Sequence, residues 1–210
     1  MSATVIRYAE SEVPTEYGSV RTLVYRVGDA QPPEEHIALV IGAIDQGAAR
    51  AGEGADESAV AVPVRVHSEC WTGEVLRSKK CDCREQLDFA MRHIAAEGRG
   101  AVVYLRQEGR GIGLGNKVRA YALQAEGADT VDANRMLGFA DDERTYEVAA
   151  AILKDLGVSR VALMTNNPKK VDGLREHGID VVTRIAVVAE PNEHNADYLA
   201  VKAKKMGHEL

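Results

Sequence analysis

All three cysteines of the chain lie in one short stretch, as Cys70, Cys81 and Cys83. Ten residues separate the first from the second, and one residue separates the second from the third. Clustered thiols at this spacing suit a metal ion better than a set of disulfides. Three thiolates leave a tetrahedral zinc ion one ligand short, and a water molecule in the open position has its pKa lowered to about 7. The cysteines therefore predict a hydrolytic zinc site.

Two other interpretations of the cysteines stay open. They are three unrelated buried thiols, or Cys81 and Cys83 form a redox pair, since free cysteine is often a small core residue. The polar sequence around the second and third cysteines, S-K-K-C-D-C-R-E, favours the metal. His67, three residues before Cys70, is a candidate fourth ligand, and a shell made only of protein ligands would make the site structural.

A glycine-rich segment, R-Q-E-G-R-G-I-G-L-G-N-K, occupies residues 106–117 and follows an apolar run. Alternating glycines let backbone N–H groups approach an anion closely. The spacing matches neither the P-loop nor the dinucleotide-binding fingerprint, so a flexible turn is an equal alternative. Arg110 can bind a phosphate through two hydrogen bonds, and Glu108 can accept a hydrogen bond from a nucleobase.

Two further polar segments are candidates for ligand binding. The segment 140–146, A-D-D-E-R-T-Y, contains Asp142 and Arg144, although acidic residues are common at helix starts without any function. The segment 164–170, M-T-N-N-P-K-K, lies between a predicted strand and a predicted helix, where open α/β sheets bind ligands. Thr165 and Lys170 are therefore candidates for base or phosphate contact, and a polar helix cap is the alternative.

The candidate segments lie between alternating strands and helices. The apolar patterns predict strands at 19–27, 36–44, 60–66, 101–105, 161–164 and 181–188. They predict helices from about 87 to 98, 116 to 126, 145 to 156 and 168 to 178, with a connector at 130–134 and a surface loop at 45–59.

This alternation predicts a single α/β domain, with a mixed β-sheet flanked by helices and a β-rich N-terminal segment. Within residues 1–210 we distinguish a β-rich lead-in at 1–60, a core with the candidate sites at 61–190, and a C-terminal tail at 191–210. We expect the zinc at a sheet edge near the glycine-rich segment.

The amino-acid composition argues against some classes of binding partner. The formal net charge is −6, which argues against a general nucleic-acid-binding surface. No apolar run approaches the length needed to span a bilayer, and the N-terminus lacks the apolar core of a signal peptide. We expect a cytoplasmic protein that binds neither nucleic acid nor membrane, and that holds any polyanionic ligand through a local cluster of Arg and Lys.

Taken together, the segments resemble the GTP cyclohydrolase II family, which catalyses the first step of riboflavin biosynthesis. The resemblance covers about residues 8–208. The matching segments, in order, are R-V-H-S-E-C, C-D-C, R-Q-E-G-R-G-I-G-L, N-K-V-R-A-Y-A-L-Q, T-V-D-A-N, L-G-F-A-D-D-E-R-T-Y and T-N-N-P-K-K-V.

The resemblance implies a reaction and its cofactors. GTP would be hydrolysed with opening of the imidazole ring, release of formate and loss of pyrophosphate, giving 2,5-diamino-6-(5-phosphoribosylamino)pyrimidin-4(3H)-one. The resemblance also implies a homodimer, Zn²⁺ on Cys70, Cys81 and Cys83, and Mg²⁺ with the triphosphate.

The resemblance implies site residues by position. The residues matching the family's GTP contacts are Arg65, Val66, His67, Ser68, Glu69, Gln86, Glu108, Gly109, Arg110, Thr130, Thr165 and Lys170. Asp142 matches the family's proposed general base, Arg144 its proposed nucleophile toward the α-phosphorus, and Tyr121 a tyrosine near the reacting ring. A guanidinium stays protonated, so phosphate binding suits the chemistry of Arg144 better than nucleophilic attack.

The chain departs from the family pattern at three places. Lys79-Lys80 stand where Leu-Arg is usual, Arg84 where glycine is usual, and Gly115 where leucine is common. The first two departures add positive charge beside the predicted zinc site. Relatives that stop at a formylated intermediate have a changed residue at the tyrosine position, whereas Tyr121 is retained here, so we expect complete deformylation. The alternatives are such a paralogue in a specialised pathway and a non-catalytic nucleotide-binding regulator.

Overall fold

The computed structural model describes residues 3–28, 33–45 and 61–187. In these ranges the strands are β1 (Val5–Thr15), β2 (Gly18–Val27), β3 (Glu34–Ile41), β4 (Val62–Ser68), β5 (Gly100–Leu105), β6 (Arg160–Met164) and β7 (Asp180–Ile185). The α-helices are α1 (Trp71–Glu74), α2 (Cys83–Glu97), α3 (Gly113–Ala125), α4 (Thr130–Met136), α5 (Glu147–Asp155) and α6 (Pro168–Glu176), and a 3₁₀ turn covers Glu108–Gly111. None of the described helices is long and apolar enough to cross a membrane.

The strands form one mixed sheet in the order β1-β2-β3-β5-β4-β6-β7. The pairs β1–β2, β2–β3 and β3–β5 are antiparallel, and the pairs β5–β4, β4–β6 and β6–β7 are parallel. Parallel neighbours need a crossover connection, which helices supply in the C-terminal part of the chain. The predicted α/β fold with a mixed sheet and a β-rich N-terminal segment is confirmed.

Helices cover both faces of the sheet. On one face α5 packs its apolar side chains, among them Ile152, into a large core that includes Val103 of β5. On the other face Ala90 and Ile94 of α2 pack against Val102. Val102 and Val103 are neighbours in one strand and point to opposite faces, because side chains alternate along a strand. Gly98 ends α2 in the left-handed conformation, with φ of 68°, as its position in the sequence predicts.

The carboxyl ends of three parallel strands bring the candidate segments together. β4 leads to Cys70, β5 to Glu108, and β6 to Thr165. Because the three strands run in the same direction, their ends meet at one side of the sheet. The cysteines lie beyond β4, a central strand of the sheet, and not beside the outermost strands β1 and β7 as an edge position would require.

Several predicted bounds need correction. The connector predicted at 130–134 is wrong, because α4 occupies this segment. Asp129 caps α4, and its carboxylate accepts hydrogen bonds from the backbone N–H groups of Val131 and Asp132 at 2.8 and 2.9 Å. The helix after the glycine-rich segment begins at Gly113, before the predicted start at Asn116. The predictions for the loop beyond residue 45 and for the tail 191–210 lie outside the described residues.

Candidate active site

The three thiols form a compact cluster. The Sγ atoms of Cys70, Cys81 and Cys83 all lie within 4.8 Å of one another, and those of Cys70 and Cys81 are 3.7 Å apart. Zinc–sulfur bonds of about 2.3 Å place tetrahedral thiolates roughly 3.8 Å apart, so the donor set fits zinc. Among the described residues, this is the one group of three or more His, Cys, Asp or Glu side chains close enough to share a metal ion.

A glycine lets α1 lie directly against these thiols. A Cβ atom on Gly73 would lie 3.0 Å from Sγ of Cys81 and 3.2 Å from Sγ of Cys70. Both distances are tighter than an ordinary van der Waals contact. The close approach of the helix to the sulfur atoms therefore depends on the absence of a side chain at this position.

Lys117 is a charged neighbour of the cluster that the sequence did not single out. Its Nζ lies 3.1 Å from Sγ of Cys70 and 2.8 Å from Oε1 of Glu108. Burial alone would lower the pKa of Lys117, but the charge of Cys70 and the hydrogen bond to Glu108 raise it above its ordinary value. The spacing of Lys117 from the cysteines in the sequence gives no signal, because the contact forms across the turn between β5 and α3.

The thiols differ in their readiness to lose a proton. Hydrogen bonds from Cys81 and Cys83, together with the ammonium of Lys117, lower the pKa of Cys70 far below its ordinary value. The same hydrogen bonding to Cys70 raises the pKa of Cys81 to about 11, and that of Cys83 rises well above its ordinary value. Of the three thiols, Cys70 is therefore the one that loses its proton most readily.

A partly buried carboxylate, that of Glu74, contacts the backbone of Cys70 and two neighbouring side chains. Oε1 of Glu74 accepts hydrogen bonds from the backbone N–H of Cys70 at 2.9 Å and from Nε2 of His67 at 2.8 Å. Its Oε2 accepts one from the hydroxyl of Tyr104 at 2.6 Å. Burial lowers the pKa of His67 to about 4, so the imidazole is neutral near pH 7. His67 is thus bound to a carboxylate and is not a member of the thiol cluster, which argues against its role as a fourth ligand.

The glycine-rich segment is held in a left-handed turn. Gly109 and Arg110 both have φ of 63°, a conformation that costs free energy for an arginine. The carboxylate of Glu108 secures the turn by accepting hydrogen bonds from the backbone N–H of Trp71, the backbone N–H of Gly109, and Nζ of Lys117. Nη1 of Arg110 donates to the carbonyl of Asp141 at 3.4 Å, and its Nη2 is buried with no partner.

Asp142 and Arg144 form a partly buried ion pair with two parallel hydrogen bonds. Nε and Nη2 of Arg144 donate to Oδ1 and Oδ2 of Asp142 at 2.8 and 2.7 Å. Burial alone would raise the pKa of Asp142, but the guanidinium holds it below its ordinary value. The carboxylate therefore fixes the orientation of the Arg144 guanidinium.

Tyr121 lies near the cluster and near two cations. Its hydroxyl is 3.4 Å from Oγ1 of Thr72, which itself lies 3.7 Å from Sγ of Cys70. Nζ of Lys80 is 5.2 Å and Nζ of Lys117 is 5.9 Å from the centre of the ring. Burial raises the pKa of Tyr121, so the phenol keeps its proton at neutral pH.

These groups open onto one cleft, whose volume with its mouth is about 1050 Å³. The residues singled out from the sequence that line it are Arg65, His67, Ser68, Glu69, Cys70, Cys83, Gln86, Glu108, Gly109, Arg110, Tyr121, Arg144, Thr165 and Lys170. Polar residues that the sequence analysis missed line it too, namely Gln107, Lys117, Gln124, Asn134, Asn166 and Asn167.

Three of the residues singled out are absent from the lining, and the side chain of a fourth is not described. Val66 is fully buried, and its carbonyl accepts a hydrogen bond from Nζ of Lys170 at 2.7 Å. Cys81 is buried within the cluster, and Asp142 is bonded to Arg144. Thr130 is the first residue of α4, and its side chain lies outside what the structure describes.

The charge of the cleft suits an anion. Among the described residues, five cationic side chains line it, those of Arg65, Arg110, Lys117, Arg144 and Lys170. In the same part of the chain two carboxylates line it, those of Glu69 and Glu108, and both form ion pairs. Burial lowers the pKa of Arg65 to about 10, which still leaves this guanidinium charged at neutral pH.

Unpaired polar atoms also concentrate in the cleft. Of eight buried side-chain N and O atoms without a partner in the described residues, six belong to residues that line it. They are Nε of Arg65, Nδ1 of His67, Oγ of Ser68, Oε1 of Gln107, Nη2 of Arg110 and Nδ2 of Asn167. Buried polar groups in folded proteins are nearly always hydrogen-bonded, so this set of donors and acceptors points to a polar ligand.

Comparisons with known proteins agree on one family. The family model described as GTP cyclohydrolase II matches residues 6–186. The chain is 48% identical over 206 residues to a protein named GTP cyclohydrolase-2 from Pasteurella multocida, covering 98% of this chain and 88% of the relative. It is 50% identical over 210 residues to a GTP cyclohydrolase-2 from Hahella chejuensis, covering 100% of this chain and 94% of the relative.

A solved structure is also similar, at a greater distance. It is a two-domain 3,4-dihydroxy-2-butanone 4-phosphate synthase from A. baumannii, named RibBX, with 24% identity and a TM-score of 0.45. The match covers 89% of this chain and 41% of that one. A similarity of this degree indicates nothing about the residues or the ligand of the site.

Proposed function

Because this chain belongs to the GTP cyclohydrolase II family, we propose that it hydrolyses GTP in riboflavin biosynthesis, opening the imidazole ring and releasing formate and pyrophosphate. The product would be 2,5-diamino-6-(5-phosphoribosylamino)pyrimidin-4(3H)-one. One observation carries the proposal: among the described residues, Cys70 and Cys83 of the three-thiol cluster line the same cleft as five cationic side chains. The thiols suit the metal that ring hydrolysis needs, and the cations suit a triphosphate.

At the cysteine end, the residues prepare the site for hydrolysis. Cys70, Cys81 and Cys83 would hold a zinc ion, which when bound supplies a Lewis acid and a water of lowered pKa. Lys117 offsets part of the negative charge of the thiolates through its contact with Cys70. Tyr121 keeps its proton at neutral pH, so it can donate a hydrogen bond or a proton to the opening ring.

At the cationic end, the residues bind and orient the triphosphate. Arg110, Arg144 and Lys170 supply positive charge where pyrophosphate leaves, and Mg²⁺ would accompany the phosphates. We propose that Asp142 acts by holding Arg144 in a fixed orientation. A carboxylate whose pKa lies below its ordinary value is a weak base at neutral pH, so the general-base role implied by the family would require this ion pair to open.

The same cleft offers both donors and acceptors to a guanine base. Guanine carries N–H donors and oxygen and nitrogen acceptors, and the unpaired atoms of His67, Ser68 and Gln107 include acceptors. Gln86 accepts a hydrogen bond from Arg65 and donates one to Asp82, so it positions Arg65. The remaining family contacts, at Val66, Glu69, Glu108, Gly109, Thr130 and Thr165, are proposed on the resemblance, as are the homodimer and a cytoplasmic location.

The first experiment is to follow formate and pyrophosphate together in zinc-loaded protein with Mg²⁺ and GTP. Release of both products supports the full reaction, and Cys81→Ser should then abolish formate together with bound zinc. Pyrophosphate without formate would replace the proposal with the paralogue that stops at the formylated intermediate. Bound GTP with neither product would replace it with the non-catalytic regulator.

A further inference from the structure

Asn167 is the cap of α6, and only half of its side-chain amide is used by the protein. Its Oδ1 accepts a hydrogen bond from the backbone N–H of Lys169 at 3.0 Å, in the usual manner of an N-cap. This bond fixes the orientation of the amide, because a flipped amide would place two donors against each other. The donor half, Nδ2, therefore points away from the helix.

The donor half of Asn167 has no partner in the described residues. Asn167 is 3% exposed, its Nδ2 is buried without a hydrogen bond, and the residue lines the cleft. The neighbouring Asn166 is different, because its Nδ2 and Oδ1 are both bonded to the backbone of Val187, at 2.6 and 3.0 Å. A buried donor without an acceptor is costly, which indicates that Nδ2 of Asn167 serves a ligand.

The surroundings of Asn167 favour an anionic acceptor. α6 is a nine-residue helix, and the partial positive charge of its N-terminus adds to that of the Lys170 ammonium, which lines the same cleft. Thr165 accepts a hydrogen bond from the backbone N–H of Asn167 through its Oγ1 at 3.0 Å, so its hydroxyl proton also remains a donor. No carboxylate lies in the segment 165–170.

We propose that Asn167 is a phosphate-binding residue of the nucleotide site, donating a hydrogen bond from Nδ2 to a phosphate oxygen. The proposal rests on the proposed function, because the phosphate belongs to GTP. It gives the asparagine two separate tasks: Oδ1 caps α6, and Nδ2 binds the ligand. Serine or aspartate at this position would keep an oxygen that caps α6 and would remove the Nδ2 donor, which makes the proposal testable.

The test compares three substitutions in the full-length zinc-loaded protein. Asn167→Ser and Asn167→Asp keep an oxygen that can cap α6, whereas Asn167→Ala removes cap and donor together. The readouts are the Tm, the Kd for inorganic tripolyphosphate by calorimetry, the KM and kcat for GTP, and the inhibition constant of guanosine, which has no phosphate.

We expect Asn167→Ser to keep the wild-type Tm and to weaken tripolyphosphate binding by roughly tenfold or more, as for one lost hydrogen bond to a charged group. The KM for GTP should rise by a similar factor with a smaller change in kcat. Asn167→Asp should bind tripolyphosphate still more weakly at an unchanged or higher Tm, because a carboxylate repels phosphate and favours a helix N-terminus. Guanosine inhibition should be unchanged in both variants.

Unchanged tripolyphosphate affinity in Asn167→Ser, or no binding of tripolyphosphate to the wild type, would overturn the proposal. Weakened guanosine inhibition with normal tripolyphosphate binding would also overturn it, and would assign Nδ2 to the base. Because tripolyphosphate needs no turnover, the test separates two failures. A wild type that binds tripolyphosphate through Asn167 but leaves GTP intact would overturn the proposed function alone.

Discussion

Two neighbouring Asp–Arg ion pairs differ in how far they are buried, and this difference decides which of them can have a role in the site. Asp142 and Arg144 form two hydrogen bonds at side-chain exposures of 5% and 13%, and Arg144 lines the cleft. Asp141 and Arg135 form two hydrogen bonds as well, but at 45% and 61% exposure. Exposed ion pairs contribute little, whereas a buried pair fixes the geometry of both partners. At the scale of single residues, we therefore assign a functional role to the Asp142–Arg144 pair and none to the Asp141–Arg135 pair.

We expect Asp142→Asn to lower kcat/KM for GTP by about a hundredfold, because Arg144 loses its fixed orientation. If Asp142 acts by positioning Arg144, the shape of the pH profile of kcat/KM should be the same in variant and wild type. Loss of the acidic limb in the variant would instead show that Asp142 is the general base. The matched control is Asp141→Asn, which should change kcat/KM less than about twofold.

His67 gives the protein a pH-dependent stability whose sign follows from its burial. Burial is the largest effect and lowers the pKa, the hydrogen bond to Glu74 opposes it, and the resulting value is about 4, compared with 6.5 for an exposed histidine. Between these values the unfolded chain binds a proton that the folded protein does not. The stability that neutral His67 contributes is therefore complete above pH 6.5 and is lost as the pH falls toward 4.

We expect the free energy of unfolding of the wild type to fall more steeply between pH 7 and pH 5 than that of His67→Gln. Glutamine can still donate to Glu74 but has no proton to gain in this window. The measurement is urea unfolding of both proteins at the two pH values. The cysteines titrate in both proteins, so the difference between the two slopes isolates His67, and equal slopes would contradict the expectation.

Two helices, α1 and α2, and the 3₁₀ turn after β5 set the distances between the three thiols. α1 has four residues, and its Gly73 brings backbone against two thiols, while Cys70 precedes the helix and Cys83 begins α2. Glu108, in the 3₁₀ turn after β5, accepts a hydrogen bond from the first residue of α1, Trp71, at 2.6 Å. The cluster is therefore held between α1, α2 and the turn, and the geometry of the thiols depends on all three elements.

At this scale we expect Gly73→Ala to weaken zinc binding about tenfold, because its Cβ would press on Sγ of Cys81 and Cys70 and spread the thiols. The measurement is competition with a chelator of known affinity. The matched control is Gly115→Ala in α3, where a Cβ meets nothing within 4 Å. This control should keep the wild-type zinc affinity and a similar or slightly higher Tm. Equal zinc affinity in both variants would show that α1 can move away from the thiols.

At the scale of the whole molecule, hydrogen bonds connect the β1–β2 hairpin to α5 away from the cleft. Asp155 of α5 accepts hydrogen bonds from the hydroxyl of Tyr25 in β2 at 2.6 Å and from Nη2 of Arg7 in β1 at 2.7 Å. None of these residues lines the cleft. The contact therefore stabilises the N-terminal hairpin on the helical layer without belonging to the binding site.

We expect Tyr25→Phe to lower the free energy of unfolding by about 1 kcal/mol, the usual net contribution of one hydrogen bond. The KM for GTP should stay at the wild-type value, because the cleft is not touched. Urea unfolding and steady-state kinetics on the same preparation check both statements. A change in KM without a change in stability would reveal a coupling between the hairpin and the site.

The sequence by itself determined the thiols and the fold class. Cys70, Cys81 and Cys83 are recognisable because a metal site needs particular atoms at short spacing, and these three lie close along the chain. The alternation of apolar strands and helices likewise follows from local periodicity, and the mixed sheet confirms it. The connector predicted at 130–134 was wrong because T-V-D-A-N has weak helix propensity, and the Asp129 cap supplies what propensity does not.

Only the tertiary structure decided which charged and polar side chains of the site are in contact. Lys117 lies 47 positions from Cys70 along the chain, and Glu108 lies 37 positions from Trp71, yet each pair is in contact. The Nδ2 donor of Asn167 can be assigned to a ligand only because Oδ1 already caps α6 and because the residue lines the cleft. Periodicity and motif spacing act over a few residues, whereas the parallel packing of β4, β5 and β6 brings distant loops to one end of the sheet.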